Sequence, residues 1–238
     1  MYDISVIIPA FNEEAYLPDT LAAVHRAIEE LDGTAEIIVA DNCSTDNTTA
    51  VAREHGARVV HTPVKCISAI RNYGAANAQG RYLVFCDADN HIAPNLLQAV
   101  KDAMDIGYYV GGGLGNVRMQ RLSLGTFLFN QLPLWCSPFF TGVSMVVFYT
   151  TREAFAAVGG FDENFLMAED YDFGKRLRRY GRLHKLGYKH LYRTRVTVST
   201  RKYDEHGDFF LLRHPIKFLR ACMKDQRVLD EFWYRPNR

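Results

Sequence analysis

The chain has no excess charge of either sign. Twenty-eight basic and 27 acidic residues leave a formal net charge of +1 over 238 residues, which argues against broad electrostatic capture of nucleic acid. It also lacks a cysteine framework. Its five cysteines, Cys43, Cys66, Cys86, Cys136 and Cys222, are odd in number and contain no C-x-x-C pair, so reduced thiols are expected rather than disulfides or a structural zinc site. No basic segment precedes the short apolar run at the start, and a cytoplasmic location follows as the expectation. Neither G-x-G-x-x-G nor a Walker A phosphate loop occurs: "GGGLG" at 111–115 fails the first pattern because Asn116 stands where its last glycine belongs. That stretch reads as a strand end or turn that needs glycine for its backbone.

One long uncharged stretch is present, "FLFNQLPLWCSPFFTGVSMVVFY" at 127–149, about the ~20 residues of a membrane span. Pro133, Pro138 and Gly142 divide it, and proline inside a helix costs about 3 kcal/mol. A helix or loop followed by a buried strand "GVSMVVFY" is expected there.

The composition, 48% hydrophobic and 13% aromatic, is that of a globular protein with one substantial core. In the first half strands alternate with helices: "ISVIIPA", a helical stretch ending "EELDG", "AEIIVADN", "STDNTTAVAREHG", "ARVVHT", "ISAIRNYGAANAQG" and "RYLVFCDADN". This order predicts an α/β fold with a Rossmann-like, mostly parallel sheet flanked by helices. After "NLLQAVKDAMDIG" the regularity fades. A single domain over 1–238 is expected, with a regular half to about residue 110, an irregular half to about 200, and a basic, aromatic tail from about 201.

In such sheets ligands collect beyond the carboxyl ends of the strands. Asn12, Glu13 and Glu14, then Asp41 and Asn42, then Asp87 and Asp89 all follow strands and are expected on one rim. Asp87 and Asp89, one residue apart, repel each other unless a cation, a basic partner or open water relieves them. They suit Mg2+ or Mn2+, which take one or two carboxylates and leave room for phosphate oxygens; a solvated loop with an aspartate capping the next helix is the plain alternative. Ser44, Thr45 and Asp46 read as an Asx turn and helix cap. Arg71 either reaches an anion over the rim or lies on a helix surface. Glu169 and Asp170 either complement a helix dipole or serve as a general base. "KRLRRYGR" reads as a solvated helix face. The tail, with Arg201, Lys202, Arg213, Lys217, Arg220 and Lys224, reads as a helix packed on the domain or lying on an anionic membrane.

In order and spacing, "SVIIPAFNEE", "IIVADNCSTDNT", "ISAIRNYGAANAQGRYLVFCDADN", "GGFDE" and "AEDYDFGKRLRRYG" resemble the family 2 glycosyltransferases, of GT-A fold. The resemblance implies a nucleotide-sugar pocket lined by Pro9, Ala10, Phe11, Glu13 and Asp41, with Arg71, Asp87, Ala88 and Asp89 in the donor-binding set. It implies a Mg2+ or Mn2+ ion at Asp89 and Asp87, an acceptor loop at "GGFDE", and Asp170, beside Glu169, as the base in an inverting transfer to a hydroxyl acceptor. A UDP-sugar donor is favoured over a GDP-sugar, and a lipid-linked or glycan acceptor with peripheral contact at the inner membrane face is consistent with the apolar stretch around Trp135 and the basic tail. Two departures stand out. Asp41, Asn42 and Cys43 occupy the place where two acids and a glycine are usual. No Q-x-x-R-W motif is present, and "STRKY" lies at a comparable place, where Arg201 and Lys202 are expected to form a lid over the diphosphate. A nucleotidyltransferase or a non-catalytic nucleotide-sugar-binding protein on a similar fold are the rival readings.

Overall fold

A computed structural model describes residues 2–64, 66–132, 136, 142–144, 146–164 and 169–207. Trp135 and the tail beyond 207, with Arg213, Lys217, Arg220 and Lys224, lie outside the described residues. Seven strands form one sheet in the order β3-β2-β1-β4-β8-β6-β9. They are β1 Ile4–Ala10, β2 Ala35–Asp41, β3 Arg58–His61, β4 Tyr82–Phe85, β6 Tyr109–Leu114, β8 Phe148–Thr151 and β9 Gly187–Leu191. The β1–β2, β2–β3, β1–β4 and β6–β9 pairs are parallel, and β8 runs antiparallel to both its neighbours. The mostly parallel sheet expected from the alternating pattern is present.

Every residue of β1 is buried, as a central strand covered on both faces requires. Alternate residues face opposite layers. Ile4, Val6 and Ile8 pack with Leu17, Leu21 and Val24 of α1 (Leu17–Glu29) and with Leu96, Leu97 and Val100 of α4 (Leu96–Asp105). Ile7 faces the layer that holds Ala75 of α3 (Ile67–Ala76), Ala154 and Phe155 of α6 (Arg152–Ala157), and Phe173 and Leu177 of α7 (Glu169–Leu183). The order reverses between β1 and β4, which opens a crevice beyond their carboxyl ends.

Of the two readings open for "GGGLG", the strand end holds: Gly111 to Leu114 form the last part of β6. An added Cβ at Gly112 would sit 1.8 Å from the Lys189 carbonyl oxygen, so glycine there permits the close approach of β9. In "GVSMVVFY" only Phe148 and Tyr149 belong to β8, which continues to Thr151. Between β6 and β8 lie β7 (Val117–Met119), α5 (Leu124–Thr126) and a π-helical turn, Phe127–Gln131.

A second, three-stranded sheet has the order β5-β10-β7. In it β10 (Val196–Val198) runs antiparallel to β5 (His91–Ile92), with Val196 opposite Ile92 and Thr197 opposite His91. Chain leaving β10 therefore travels back past His91 toward Asn90 and Asp89, and so delivers α8 (Arg201–His206) to the rim.

Candidate active site

The first rim loops are stitched together by their own polar groups. Asn12, with φ of 54°, donates its N–H to Ser44 Oγ at 2.9 Å, and the Glu13 N–H reaches Thr48 Oγ1 at 2.7 Å. Thr45 N–H returns to Asn12 Oδ1 at 2.8 Å. Asp46 accepts from the Thr48 N–H at 2.9 Å, at the start of α2 (Thr48–Glu54). The turn expected at Ser44, Thr45 and Asp46 is present, but the N-cap position of α2 is Asn47, which makes no side-chain cap bond. Ser44 and Thr45 tie instead to Asn12 and Asp41. Pro9 and Ala10 end β1 in the core beside part-buried Phe11.

Asp41, at the end of β2, is only 1% exposed. Its carboxylate accepts from the Ser44 N–H at 3.2 Å and from His61 Nδ1 at 3.1 Å. Asn42 donates through Nδ2 to the Thr62 and Val64 carbonyls, which an aspartate cannot do; the amide at this departure from the usual acidic pair holds the corner after β3. His61 was not among the predicted site residues. Its only signal in the sequence is a polar side chain closing a strand, half-exposed beside Asp41.

At the end of β4 the two aspartates have different partners. Asp87 accepts from Arg71 Nη2 at 2.8 Å and from Asn90 Nδ2 at 3.3 Å. Ala88 is buried and its carbonyl accepts from Thr20 of α1 at 2.7 Å, which anchors the turn. The Asp89 carboxylate lies 3.4 Å from Arg201 Nε. Between them and the core, burial pushes the Cys86 thiol well up, with Asp87 and Asp89 adding to the effect.

Arg71 lies under the rim, 8% exposed, with Nη1 bonded to Glu169 Oε1 at 2.7 Å and its guanidinium over the Phe161 ring at 5.3 Å. Burial opposes its charge, but Asp87 and Glu169 outweigh that and raise its pKa. The neighbouring Asp170 carboxyl is pushed up to about 7, first by burial and then by Glu169, against the opposing pull of Arg71. A carboxyl near neutrality at the start of a helix is suited to proton transfer at physiological pH.

The "GGFDE" loop is held by two residues absent from the predicted set. Asn72, next to Arg71, exchanges hydrogen bonds with the Phe161 backbone, N–H and carbonyl, both at 2.8 Å. Arg176 donates to the Val158 and Gly160 carbonyls at 2.7 Å and to Asp172 at 2.6 Å, so part of "KRLRRYGR" is structural rather than a solvated face. Phe161 stacks on Phe173 at 4.3 Å and meets Phe85 edge-on at 5.1 Å. This aromatic cluster locks the loop and α7 against β4, one residue before Cys86 and Asp87.

Arg201 reaches the rim from α8. Its Nη1 and Nη2 fork onto the Glu13 carboxylate at 2.5 and 2.7 Å, and its guanidinium lies over the Tyr16 ring at 4.9 Å. Lys202 follows in the same helix; its side chain lies outside the described residues. Among the described residues no group of three or more metal-ligating side chains converges. The two hard carboxylates Asp87 and Asp89 nevertheless suit a Mg2+ or Mn2+ ion, which commonly takes only one or two protein ligands. Also among the described residues, no helix is long and apolar enough to cross a membrane.

The undecaprenyl-phosphate 4-deoxy-4-formamido-L-arabinose transferase of Pseudomonas syringae pv. syringae is 30% identical over 126 residues, covering 50% of this chain and 36% of that relative. The chain thus matches little more than a third of the length of this curated relative. Among solved structures, Staphylococcus aureus TarS 1–349 in complex with UDP-GlcNAc superposes with a TM-score of 0.62 at 19% identity, covering 96% of this chain and 71% of that one. The mannosyltransferase PcManGT of Pyrobaculum calidifontis, in complex with GDP-Man and Mn2+, gives 0.64 at 18% identity, covering 92% and 64%. These likenesses make the fold GT-A. Residues 5–125, just over half of the chain, match the model of glycosyl transferase family 2, and the chain belongs to that family.

Proposed function

We propose that the chain transfers a sugar from a nucleoside-diphosphate sugar to a hydroxyl acceptor, with inversion at the anomeric carbon and a divalent cation at the diphosphate. The observation that carries this reading is the Arg71 clamp. One buried guanidinium binds Asp87 of the donor rim and Glu169 of the Glu169–Asp170 pair, so the donor edge and the base share one rigid anchor. Such shared anchoring is what positions two reactants for in-line attack.

Pro9, Ala10, Phe11, Glu13 and Asp41 line the nucleotide side in this reading, with Ala88 fixing the turn that presents Asp87 and Asp89. These two carboxylates would hold a Mg2+ or Mn2+ ion, which would supply Lewis-acid neutralisation of the charge that develops on the departing diphosphate. Asp170 accepts the proton of the acceptor hydroxyl. Glu169 and burial keep its basicity high, and Arg71 limits how far it rises. The "GGFDE" loop, held by Asn72 and Arg176, forms the acceptor side.

A UDP-sugar is the favoured donor and a GDP-sugar the alternative, in keeping with the UDP-GlcNAc and GDP-Man bound by the two structural neighbours. A lipid-linked acceptor at the inner membrane face is supported by the relative named for undecaprenyl phosphate. The chain is read as one domain. The test is thermal unfolding with UDP, GDP and their sugars, with and without Mn2+. A ligand at about 100 times its Kd adds about 2.7 kcal/mol. A base-selective shift strengthened by Mn2+ is expected, and no shift with any nucleotide overturns the reading.

A further inference from the structure

Two adjacent carboxylates at a strand end need compensating charge, and here each has an arginine. The two arginines are held in different ways. Arg71 is buried and central, with bonds of 2.8 and 2.7 Å to Asp87 and Glu169. Arg201 is about a quarter exposed, comes from the short helix α8, and spends its two terminal nitrogens on Glu13. Only Nε turns to Asp89, at 3.4 Å, beyond the 2.7–3.2 Å of a well-formed N–H···O bond. The fork onto Glu13 and the stack on Tyr16 tie the guanidinium to the rim independently of Asp89.

We propose that Arg201 is a placeholder for the divalent cation at Asp89: guanidinium and metal compete for this carboxylate, with Glu13 as the pivot on which Arg201 yields. This rests on the reading of Asp89 as the cation's ligand. The contact with Asp89 is the weak one of the three, and a doubly charged ion attracts a carboxylate more strongly than a guanidinium at that distance. Asp87 is not contested in the same way, because Arg71 also anchors Glu169 and cannot leave without uncovering it. Cation entry at Asp89 frees the Nε–H and leaves Arg201, still tied to Glu13, as a donor at the edge of the same pocket. The neighbouring cavity of about 370 Å3, lined by Tyr16, Arg121, Thr200, Arg201 and Asp204 among others, gives the side chain room to withdraw.

The experiment is titration of the full chain with Mn2+ alone, without nucleotide, by calorimetry or by the paramagnetic resonance signal of free Mn2+. Arg201→Gln is expected to bind Mn2+ at least about tenfold more tightly than the unsubstituted protein, and Asp89→Asn to lose binding. Arg201→Lys, which keeps the charge but cannot fork to Glu13 while reaching Asp89, is expected between the two. Arg121→Gln removes an equal charge from the same cavity, where Arg121 pairs with Asp204, and is expected to change nothing. Equal affinity in Arg201→Gln and the unsubstituted protein, with Asp89→Asn still losing the ion, overturns the competition and leaves Asp89 as a ligand. The same tightening in Arg121→Gln also overturns it, as a general charge effect. No Mn2+ binding by any of the proteins overturns both the competition and the cation assignment beneath it. Circular dichroism and the Arg201→Lys result separate a folding defect from a change at Asp89.

Discussion

Arg71 and Glu169, 98 residues apart in the chain, meet at 2.7 Å between Nη1 and Oε1. This ion pair joins α3, which carries Arg71, to α7, which carries Asp170. Losing it leaves Glu169 enclosed and without its cation, and leaves Asp87 with Asn90 alone among the partners described above. Arg71→Ala is therefore expected to cost about 3 kcal/mol, the low end for a broken buried pair because Asp87 is partly open to water. Urea unfolding measures it. Arg71→Lys can satisfy one carboxylate but not both, and is expected to fall between.

Asp170 makes pH a direct probe. Its folded pKa of about 7 lies above the ordinary carboxyl value of 3.8, so the folded state binds this proton more tightly than the unfolded chain does. The stabilisation is fully present below the ordinary value and is lost as pH rises through about 7. With Asp170 as the proposed base, catalysis is expected to run the other way, since only the ionised form accepts a proton. Transfer rate is expected to rise with pH through about 7, and Asp170→Asn to keep nucleotide binding while losing transfer. Near-normal turnover in that variant removes Asp170 as the base.

Phe161 links packing to the site. It is buried at 1% exposure, stacks on Phe173 and lies beneath the Arg71 guanidinium. Phe161→Ala is expected to cost about 3 to 5 kcal/mol. Phe161→Leu, closer in volume, should lose less stability yet still lower turnover, because the ring face under Arg71 is gone. Denaturation midpoints compared with turnover at fixed temperature separate the two effects.

Gly112 tests the inner sheet. A methyl group there collides with the Lys189 carbonyl of β9 and presses on the Tyr149 hydroxyl, which bonds that same carbonyl at 2.8 Å. Backbone cannot move aside as a side-chain tip can, so Gly112→Ala is expected to destabilise the protein by about 3 kcal/mol. Gly56→Ala, where nothing lies within 4 Å but φ is +73°, should cost less, through backbone strain alone. Parallel thermal melts decide the ranking.

Local pattern made much of this protein legible. The unbroken apolar run of β1, the alternation of strands and helices, and the acids that close β2 and β4 need only nearest-neighbour chemistry and burial, and they predict the parallel sheet and its carboxylate-lined rim. The family's motifs added the roles of Asp89 and Asp170 as expectations. Where glycines cluster, local logic left a strand end and a turn both open; Gly111, Gly112 and Gly113 lie in the last part of β6, where β8, β9 and the residues just before β8 approach too closely to admit a Cβ.

What the sequence by itself determined, then, is the layered α/β core and which residue types stand at its rim, because strand and helix periodicity are properties of adjacent residues. Only the tertiary structure decided who partners whom. The pairing of β10 with β5 carries Arg201 to Asp89, the Phe85, Phe161 and Phe173 cluster brings Glu169 to Arg71, and the β2–β3 register sets His61 opposite Asp41. Each of these contacts joins separate elements of the fold, so its energy depends on a geometry that exists only once the core has formed.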